Sequence, residues 1–301
     1  MKKEYNGCIN ILSSRTQCLP QCLKSLWENW NHRYDYPVYV HYFDDIYDSE
    51  RYREIIWNTI SPNIHFRSVP YQTPVFLKEE ELFYNRKNIG YVRNSFPISR
   101  KGYLHMAHYF NNLYGYPNTE FKKYDYMMSI DDESLFLKEV PYNFFEIMSN
   151  KTKMAGAIKV TYPHLKPPKQ GNYDTRVGMW KHVSDYIKKY NIEPQSDFIL
   201  NLLNDPDAER KFHQQFIFAD SYVFKTELFR TPVWKQWNKA LNESGGIYKY
   251  RWGDHELNSL FFSIHHGYVV HDFKTVDEGY HDQGGLRHIQ GYAPGVKDSN
   301  K

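Results

Sequence analysis

Residues 124–133 read Tyr-Asp-Tyr-Met-Met-Ser-Ile-Asp-Asp-Glu, an apolar run suited to a buried strand that ends in three adjacent carboxylates. At the mouth of a strand Asp131, Asp132 and Glu133 repel one another, and a divalent cation held by their oxygens is the simplest reason to keep them together. A solvated acidic turn is the alternative, because such turns are common. The rest of the chain has to decide between a metal site and a plain turn.

The composition bounds the class of protein. A chain of 301 residues is long enough for one large α/β domain or two smaller ones. A net charge of +3, with 24% charged residues, gives no field that points to a nucleic acid or a membrane surface. Aromatic residues make up 18% of the chain, which suits the stacking of sugar rings and bases but equally an aromatic core.

The cysteines and the N-terminus bear on the compartment. Cys8, Cys18 and Cys22 are an odd set without spaced partners, which argues against a disulfide framework and for buried free thiols in a reducing compartment. The first residues contain no long apolar stretch. We therefore expect a soluble, cytoplasmic protein without a signal peptide or a membrane segment.

The N-terminal third alternates between strand and helix patterns. Strands are predicted at 7–14, 37–43 and 64–69, and helices at 18–31 and 49–60. This alternation predicts parallel strands joined by crossover helices, a sheet in which ligands bind beyond the carboxyl ends of the strands. Arg15, Asp44, Asp45 and Asp131 all fall at such ends.

The remainder continues the α/β pattern. Residues 70–98 lose it and are expected to form a long excursion, and 162–173 reads as loop. Helices are predicted at 100–114, 176–190, 196–204 and 226–241, and strands at 154–160, 216–224 and 267–273. No linker divides the chain. We predict a single domain over 1–301, with a nucleotide-binding half at 1–133, an acceptor and catalytic half at 134–281 and a tail at 282–301.

A second informative stretch covers residues 243–262. Gly245 and Gly246 permit a tight turn, and Arg251 and Trp252 offer a charge and a flat face. Asp254 opens a predicted helix, where it is either the capping residue or, at the edge of a cleft, a general base.

These segments together resemble a known family. Residues 123–126 leading to the acidic triplet, the stretches 245–248 and 251–254, His271 and the pair Gly279-Tyr280 resemble in order and spacing the fungal α-1,2-mannosyltransferases of glycosyltransferase family 15. The similarity extends to 103–106, which contains Tyr103. It implies a GT-A fold, a Rossmann-like nucleotide-sugar-binding α/β fold with a mixed central sheet flanked by helices. It also implies a nucleotide-sugar donor and manganese, with magnesium as the alternative ion.

The resemblance further implies a set of metal ligands. In the family an acidic residue of the strand-end motif and a histidine on a late strand hold the ion, and these positions map onto Asp131, Asp132, Glu133 and His271. Carboxylate and imidazole both suit such an ion. The family's Glu-Pro-Asp is replaced here by Asp-Asp-Glu, which is closer to the general DxD form.

One departure concerns stereochemistry. The family carries a glutamate near the reacting carbon in a Phe-Glu-Ile-Gly-Asp context, whereas residues 216–220 here read Phe-Ile-Phe-Ala-Asp. Ile217 cannot be a nucleophile. Asp254 also fits the acidic motif that opens the catalytic helix of inverting GT-A enzymes, so retention and inversion both stay open.

The predicted roles follow from these mappings. The cation at Asp131, Glu133 and His271 would bridge the donor diphosphate, and Asp254 would deprotonate the acceptor hydroxyl. The remaining candidates are Glu256 as a helper to the base, Asp220 near the donor, Arg15 with Asp44 or Asp45 at the nucleotide, and Tyr103, Tyr248, Tyr250, Arg251 and Trp252 around the donor sugar.

The substrate prediction leaves more than one donor open. The family suggests GDP-mannose as donor and an oligosaccharide or glycoprotein as acceptor. An inverting transferase using a UDP-sugar such as UDP-xylose or UDP-galactose is the alternative. A glycoside hydrolase, which needs two carboxylates but no metal, and a carbohydrate-binding protein without catalysis are more distant possibilities.

Overall fold

A computed structural model of the chain describes residues 4–82, 101–117, 119–161, 176–212, 218–267, 271–275 and 277–282. Its strands are β1 (Gly7–Leu12), β2 (Val38–Tyr42), β3 (Ile64–Ser68), β4 (Tyr126–Asp131), β5 (Leu135–Phe136), β6 (Ala155–Thr161), β7 (Phe218–Lys225), β8 (His271–Asp272) and β9 (His281–Asp282). Its helices are α1 (Leu19–Asn29), α2 (Glu50–Thr59), α3 (Lys101–Asn112), α4 (Phe144–Ser149), α5 (Met179–Lys189), α6 (Asp197–Leu203), α7 (Ala208–Phe212), α8 (Pro232–Ser244), α9 (Gly246–Tyr250) and α10 (Asp254–His265).

The central sheet has the order β3-β2-β1-β4-β7-β6-β8, and β5 and β9 form a small second sheet. Strands β1, β2, β3 and β4 run parallel to one another, whereas β7 runs antiparallel to both β4 and β6. This is the mixed α/β sheet that the sequence predicted. Leu12 at the end of β1 pairs with Asp131 at the end of β4, so the loop after β1 meets the acidic turn.

Strand β4 is central and buried on both faces. Met127 belongs to the core packed by α3, α8 and α10, and the next residue, Met128, belongs to the core packed by α1, α2 and α4. Successive side chains of a strand point to opposite faces, so a strand that is covered on both faces needs a continuous apolar run. In β4 this run ends at Asp131, which lies at the edge of the sheet.

One predicted helix begins later than expected. The segment 226–241 was predicted as one helix, but residues Thr226–Arg230 form a 3-10 turn and α8 begins at Pro232. Proline favours the first helical position because it lacks the N–H that would lie unpaired there. Thr231 caps the helix by accepting a hydrogen bond from the backbone N–H of Trp234.

Two general predictions are also addressed by the structure. Cys8, Cys18 and Cys22 are buried free thiols, as predicted. No helix within the described ranges is long and apolar enough to cross a membrane. Most of the predicted excursion at 70–98, the loop at 162–173, Ile217 and all but the first residue of the tail at 282–301 lie outside the described residues.

Candidate active site

A pocket lies at the carboxyl end of β4, between β4, β7, α3 and α10. Its lining combines aromatic and aliphatic side chains with hydroxyl, amide, imidazole and carboxylate groups: Phe110, Leu113, Ser129, Asp131, Ser221, Tyr222, Phe224, Asp254, His255 and Asn258. The fold thus brings the first residue of the acidic triplet together with the carboxylate that opens α10. These two stretches are more than a hundred residues apart in the chain.

Asp131 stands in a crowded electrostatic environment. Burial raises the pKa of Asp131 to about 6; His255 opposes the shift, and the carboxylates of Glu133, Asp132 and Asp254 add to it. A cation at this carboxylate would stabilise its charged form, and oxygen is the donor that hard divalent ions prefer. The donor chemistry of Asp131 therefore fits a divalent ion.

The other two members of the triplet are already bound within the protein. Asp132 accepts hydrogen bonds from Ser13 Oγ at 2.7 Å and from the backbone N–H groups of Ser14 at 3.1 Å and Arg15 at 3.2 Å. Arg15 Nη1 lies 2.7 Å from Asp132 Oδ1 and also contacts Glu133. In the described structure these three groups pair with one another, and the roles of Asp132 and Glu133 as metal ligands and of Arg15 as a nucleotide contact stay predictions.

His271 does not join Asp131. His271 pairs with Gly156 of β6. Gly156 and Met128 of β4 lie opposite the same residue of β7, so His271 is level with a residue three positions before Asp131. Three strand spacings separate β8 from β4, which is about 14 Å. The same cation cannot reach both side chains. Among the residues that the structure describes, no group of three or more histidine, cysteine, aspartate or glutamate side chains is arranged to hold a metal ion.

The surroundings of His271 carry charges of both signs. Burial lowers the pKa of His271, Lys151 and Lys153 lower it further, and Asp272 opposes the shift. A different late histidine, His281, is buried on β9 opposite Phe136 of β5, the strand that follows the acidic turn. The sequence reasoning passed over His281, although it directly follows the Gly-Tyr pair that carries part of the resemblance.

The turn before α10 builds a charged cluster around Tyr103. Arg251 has a left-handed backbone with φ of 64° and places its guanidinium 4.0 Å from the centroid of the Tyr103 ring. Burial raises the pKa of Tyr103; Arg251 opposes the shift, and Asp254, Glu256 and Asp131 add to it. Tyr103 and Arg251, both predicted at the donor, therefore lie beside the carboxylates of the pocket.

Asp254 is the first residue of α10 and not its cap. The capping position is Gly253, and no side chain caps the helix there. Asp254 is only 6% exposed, which is unusual for a carboxylate. Of the two roles left open by the sequence, that of capping residue is excluded.

Glu256 is engaged elsewhere. Its Oε1 lies 3.3 Å from Arg176 Nη2, with both side chains 13% exposed. A Cβ at Gly253 would lie 2.3 Å from Glu256 Oε2, so this carboxylate packs closely over the turn before α10. The role of Glu256 as a helper of the base stays a prediction.

Two aromatic residues predicted at the sugar are part of the core. Trp252 is buried and donates a hydrogen bond from Nε1 to the carbonyl oxygen of Val177 at 3.0 Å. Tyr248 is buried, and its hydroxyl lies 3.2 Å from His105 Nδ1. Tyr250, which is partly exposed, stacks on Trp252 with ring centroids 6.0 Å apart. Trp252 and Tyr248 therefore belong to the packing behind the site, and neither ring is exposed enough for a sugar to stack on it.

The packing of Trp252 requires a glycine at position 246. A Cβ there would lie 2.2 Å from the Trp252 ring, so we expect Gly246→Ala to lower the free energy of unfolding by about 1–3 kcal/mol through overpacking. Gly102→Ala is the matched control: it lies on α3 with nothing within 4 Å of the new Cβ, and a gain of up to about 1 kcal/mol is expected. Urea denaturation measures both. Equal effects at the two positions would contradict this packing.

The remaining predicted residues lie farther out. Asp44 and Asp45 are exposed just beyond β2, two strands from β4, and Asp44 accepts a hydrogen bond from the Tyr71 hydroxyl at 2.6 Å. They line the same edge of the sheet as Asp131 but not the pocket. Asp220 lies on β7 with its backbone opposite Lys159, and its side chain lies outside the described part of the structure.

Comparison with solved structures defines the class of fold. The chain superimposes on core-mannan synthase A from Aspergillus fumigatus, solved in a form with Mn and GDP, with a TM-score of 0.71, 17% identity and coverage of 89% of this chain and 73% of that one. The mannosyltransferase Ktr4p from S. cerevisiae in complex with GDP gives a TM-score of 0.70, 17% identity and coverage of 90% and 70%. The protein has the GT-A fold predicted from the sequence.

Sequence comparison then defines the family. The profile described as Glycolipid 2-alpha-mannosyltransferase matches residues 2–283, and the chain belongs to this family. The O-glycoside alpha-1,2-mannosyltransferase omh1 of Schizosaccharomyces pombe is 21% identical over 268 residues, 87% of this chain and 65% of omh1. Alpha-1,2 mannosyltransferase KTR1 of Saccharomyces cerevisiae is 20% identical over 259 residues, 82% of this chain and 62% of KTR1. The chain thus spans less than two thirds of the length of these relatives.

Proposed function

We propose that this chain is a glycosyltransferase that moves a mannosyl group from GDP-mannose to a hydroxyl group of a glycan. The observation that carries the proposal is the meeting of Asp131 and Asp254 in one pocket at the carboxyl edge of the sheet. In open α/β sheets this edge is where ligands bind. Family membership and the two structural relatives solved with GDP support the choice of donor.

Asp254 is the residue that we assign to proton removal from the acceptor. It is buried, it lines the pocket, and as the first residue of α10 it has a fixed backbone. Glu256, by contrast, is paired through Oε1 with Arg176 Nη2 at 3.3 Å, so part of its carboxylate is already engaged. A positioned general base accelerates such a step by about 10²- to 10⁴-fold.

The leaving diphosphate needs positive charge, which two features of the chain supply. Arg251 holds its guanidinium over Tyr103 beside the pocket carboxylates. The amino end of α10, a helix of 12 residues, lies at the same place, and the N–H groups at a helix start attract phosphate. Both features would orient the donor by its diphosphate before the sugar is transferred.

A divalent ion fits this arrangement at Asp131. Manganese is part of the A. fumigatus relative as solved, and Asp131 lines the pocket at the end of β4. We assign the late histidine of the site to His281 rather than His271, because β9 pairs with β5 directly after the acidic turn. When bound, the ion would stabilise negative charge on the departing diphosphate.

The acceptor is proposed from the names of the relatives. They are described as O-glycoside and glycolipid mannosyltransferases, so the acceptor would be a mannose-bearing oligosaccharide, alone or on a glycoprotein or glycolipid. A simple alkyl mannoside supplies the required hydroxyl groups and serves as the test acceptor.

The proposal is tested by incubating the protein with GDP-mannose, an alkyl mannoside and Mn²⁺, and by measuring released GDP together with the extended mannoside. We expect both products in equal amounts, and their loss on addition of a chelator. UDP-galactose and UDP-xylose in parallel reactions test the second donor class, and turnover with them alone would overturn the proposal.

The same reaction separates a transferase from a hydrolase and from a binding protein. A glycoside hydrolase would cleave the mannoside without any nucleotide-sugar, and chelation would leave its activity unchanged. A protein that only binds carbohydrate would release no GDP. The anomeric configuration of the product, read by NMR, decides between retention and inversion.

A further inference from the structure

The pocket lies where the pairing of β4 with β7 ends. Strand β4 pairs with β7 only as far as Ser129 opposite Tyr222, although β4 continues beside β1 to Asp131. The next residue of β7, Ser221, has a φ of 54°, the left-handed region that a non-glycine residue rarely adopts. Strain of this kind is concentrated at functional sites. Ser221 therefore lies where the pairing of β4 with β7 ends, two residues before Asp131, and it lines the pocket.

Asn258 belongs to the α10 side of the same pocket. It lies one helical turn after Asp254 on α10, at the i+4 position that shares a helix face, and both residues line the pocket. Asn258 is 3% exposed, and its Oδ1 accepts no hydrogen bond from the described residues. An acceptor left unsatisfied in the interior costs about 1–3 kcal/mol, so a bound group that donates to it is strongly favoured.

The walls around this amide are mixed in character. Phe110, Leu113 and Phe224 supply apolar surface, and the uncharged polar groups include the amide of Asn258 and the hydroxyl of Ser129, beside Asp131, Asp254 and His255. Asn10 donates a hydrogen bond to that hydroxyl at 3.1 Å, which fixes its position. A CH₂–OH group matches such a lining, because its carbon contacts the apolar walls and its hydroxyl reaches the amide oxygen.

We propose that Asn258 is a specificity-determining residue whose Oδ1 accepts a hydrogen bond from the hydroxymethyl group of the transferred sugar. The inference rests on the proposed function, since the hydroxymethyl group reaches Asn258 only when the donor diphosphate lies at Asp131. It assigns the pocket to hexose donors. A pentose lacks the hydroxymethyl group and leaves the amide oxygen buried without a hydrogen bond.

The test compares three donors: GDP-mannose, its 6-deoxy analogue and the corresponding pentose analogue. For the wild type we expect kcat/KM to fall by about 10- to 100-fold when the hydroxyl is removed. In Asn258→Leu, which has nearly the same shape but no acceptor, the two hexose donors should be used at rates within about threefold of each other. Affinity for GDP alone should be unchanged, because GDP carries no sugar.

Asn111→Leu is the matched control. Asn111 is a buried asparagine of the neighbouring helix α3 whose Oδ1 also accepts no hydrogen bond from the described residues, and it does not line the pocket. Its substitution should leave donor discrimination as in the wild type. Equal loss of discrimination in both variants would overturn the proposal, since it would then reflect general loosening.

Further outcomes are equally decisive. Unchanged discrimination in Asn258→Leu, or an effect confined to the KM of the acceptor, overturns the role of Asn258 while leaving the proposed function intact. If Asn258→Leu does not fold, the wild type alone still tests the proposal. Equal kcat/KM for GDP-mannose and its 6-deoxy analogue would contradict a contact with the hydroxymethyl group. No turnover of GDP-mannose by the wild type would instead overturn the proposed function.

Discussion

Asp254→Asn is expected to lower the turnover number by about 10²- to 10⁴-fold, the contribution typical of a general base. The substitution keeps the size and the hydrogen-bonding oxygen of the side chain but removes its ability to take a proton. Since Asp254 is not the capping residue of α10, the fold should be retained. Steady-state kinetics with GDP-mannose, together with thermal denaturation, measure both expectations.

Asp197→Asn is the matched control for this experiment. Asp197 is likewise the first residue of a helix, α6, but it is exposed. Both substitutions remove a negative charge from a helix start, which costs about 0.3–1 kcal/mol, and only Asp254→Asn should affect turnover. Near-normal turnover in Asp254→Asn would remove Asp254 from the chemistry.

Arg15→Ala is expected to lower the free energy of unfolding by about 3–5 kcal/mol, the usual cost of leaving a buried charge without its partner. The Arg15 side chain is 26% exposed, whereas those of Asp132 and Glu133 are 5% and 1% exposed. Without the guanidinium, two adjacent buried carboxylates remain and repel each other. Chemical denaturation of the two proteins gives the difference directly.

The control is a surface pair of the same charge type. Lys181 lies 2.5 Å from Asp185 on α5, with side chains 76% and 57% exposed, and Lys181→Ala should cost less than about 1 kcal/mol. A loss for Arg15→Ala as small as that of Lys181→Ala would mean that Arg15 is not the structural partner of the acidic turn.

Local sequence patterns were sufficient for the framework of the fold. The apolar run that ends at Asp131 and the alternation of strand and helix patterns both depend on neighbours in the chain, and the structure confirms them. The start of α8 was missed for a local reason, because Pro232 and the Thr231 cap set the boundary against an otherwise continuous pattern.

The roles of the carboxylates required contacts that no local pattern reveals. Three adjacent acids look alike in sequence, yet Asp132 and Glu133 are paired with Arg15, which lies more than a hundred residues earlier. The resemblance to the family identified the motif but did not show which of its acids meet Arg15 and which line the pocket. The pairing of β1 with β4 brings Arg15 to the acidic turn, and Asp131 lines the pocket.

The distance of His271 from Asp131 and the packing at Gly246 also depend on contacts that no local pattern reveals. His271 is separated from Asp131 by the register of three strands, which sequence alone does not supply. Gly246 was predicted as a turn residue, but its absent side chain is needed by the Trp252 ring. Packing of this kind between close residues depends on the surrounding tertiary structure.

The central claim is that Asp131 holds a metal-bound nucleoside diphosphate, and calorimetric titration of GDP tests it most directly. GDP and UDP are titrated with Mn²⁺ and with a chelator into the wild type, Asp131→Asn and Asp125→Asn, the last altering an exposed aspartate just before β4. We predict that GDP binds more tightly than UDP, that chelation and Asp131→Asn each weaken GDP binding, and that Asp125→Asn does not. GDP binding that is indifferent to manganese and to Asp131→Asn would contradict the account.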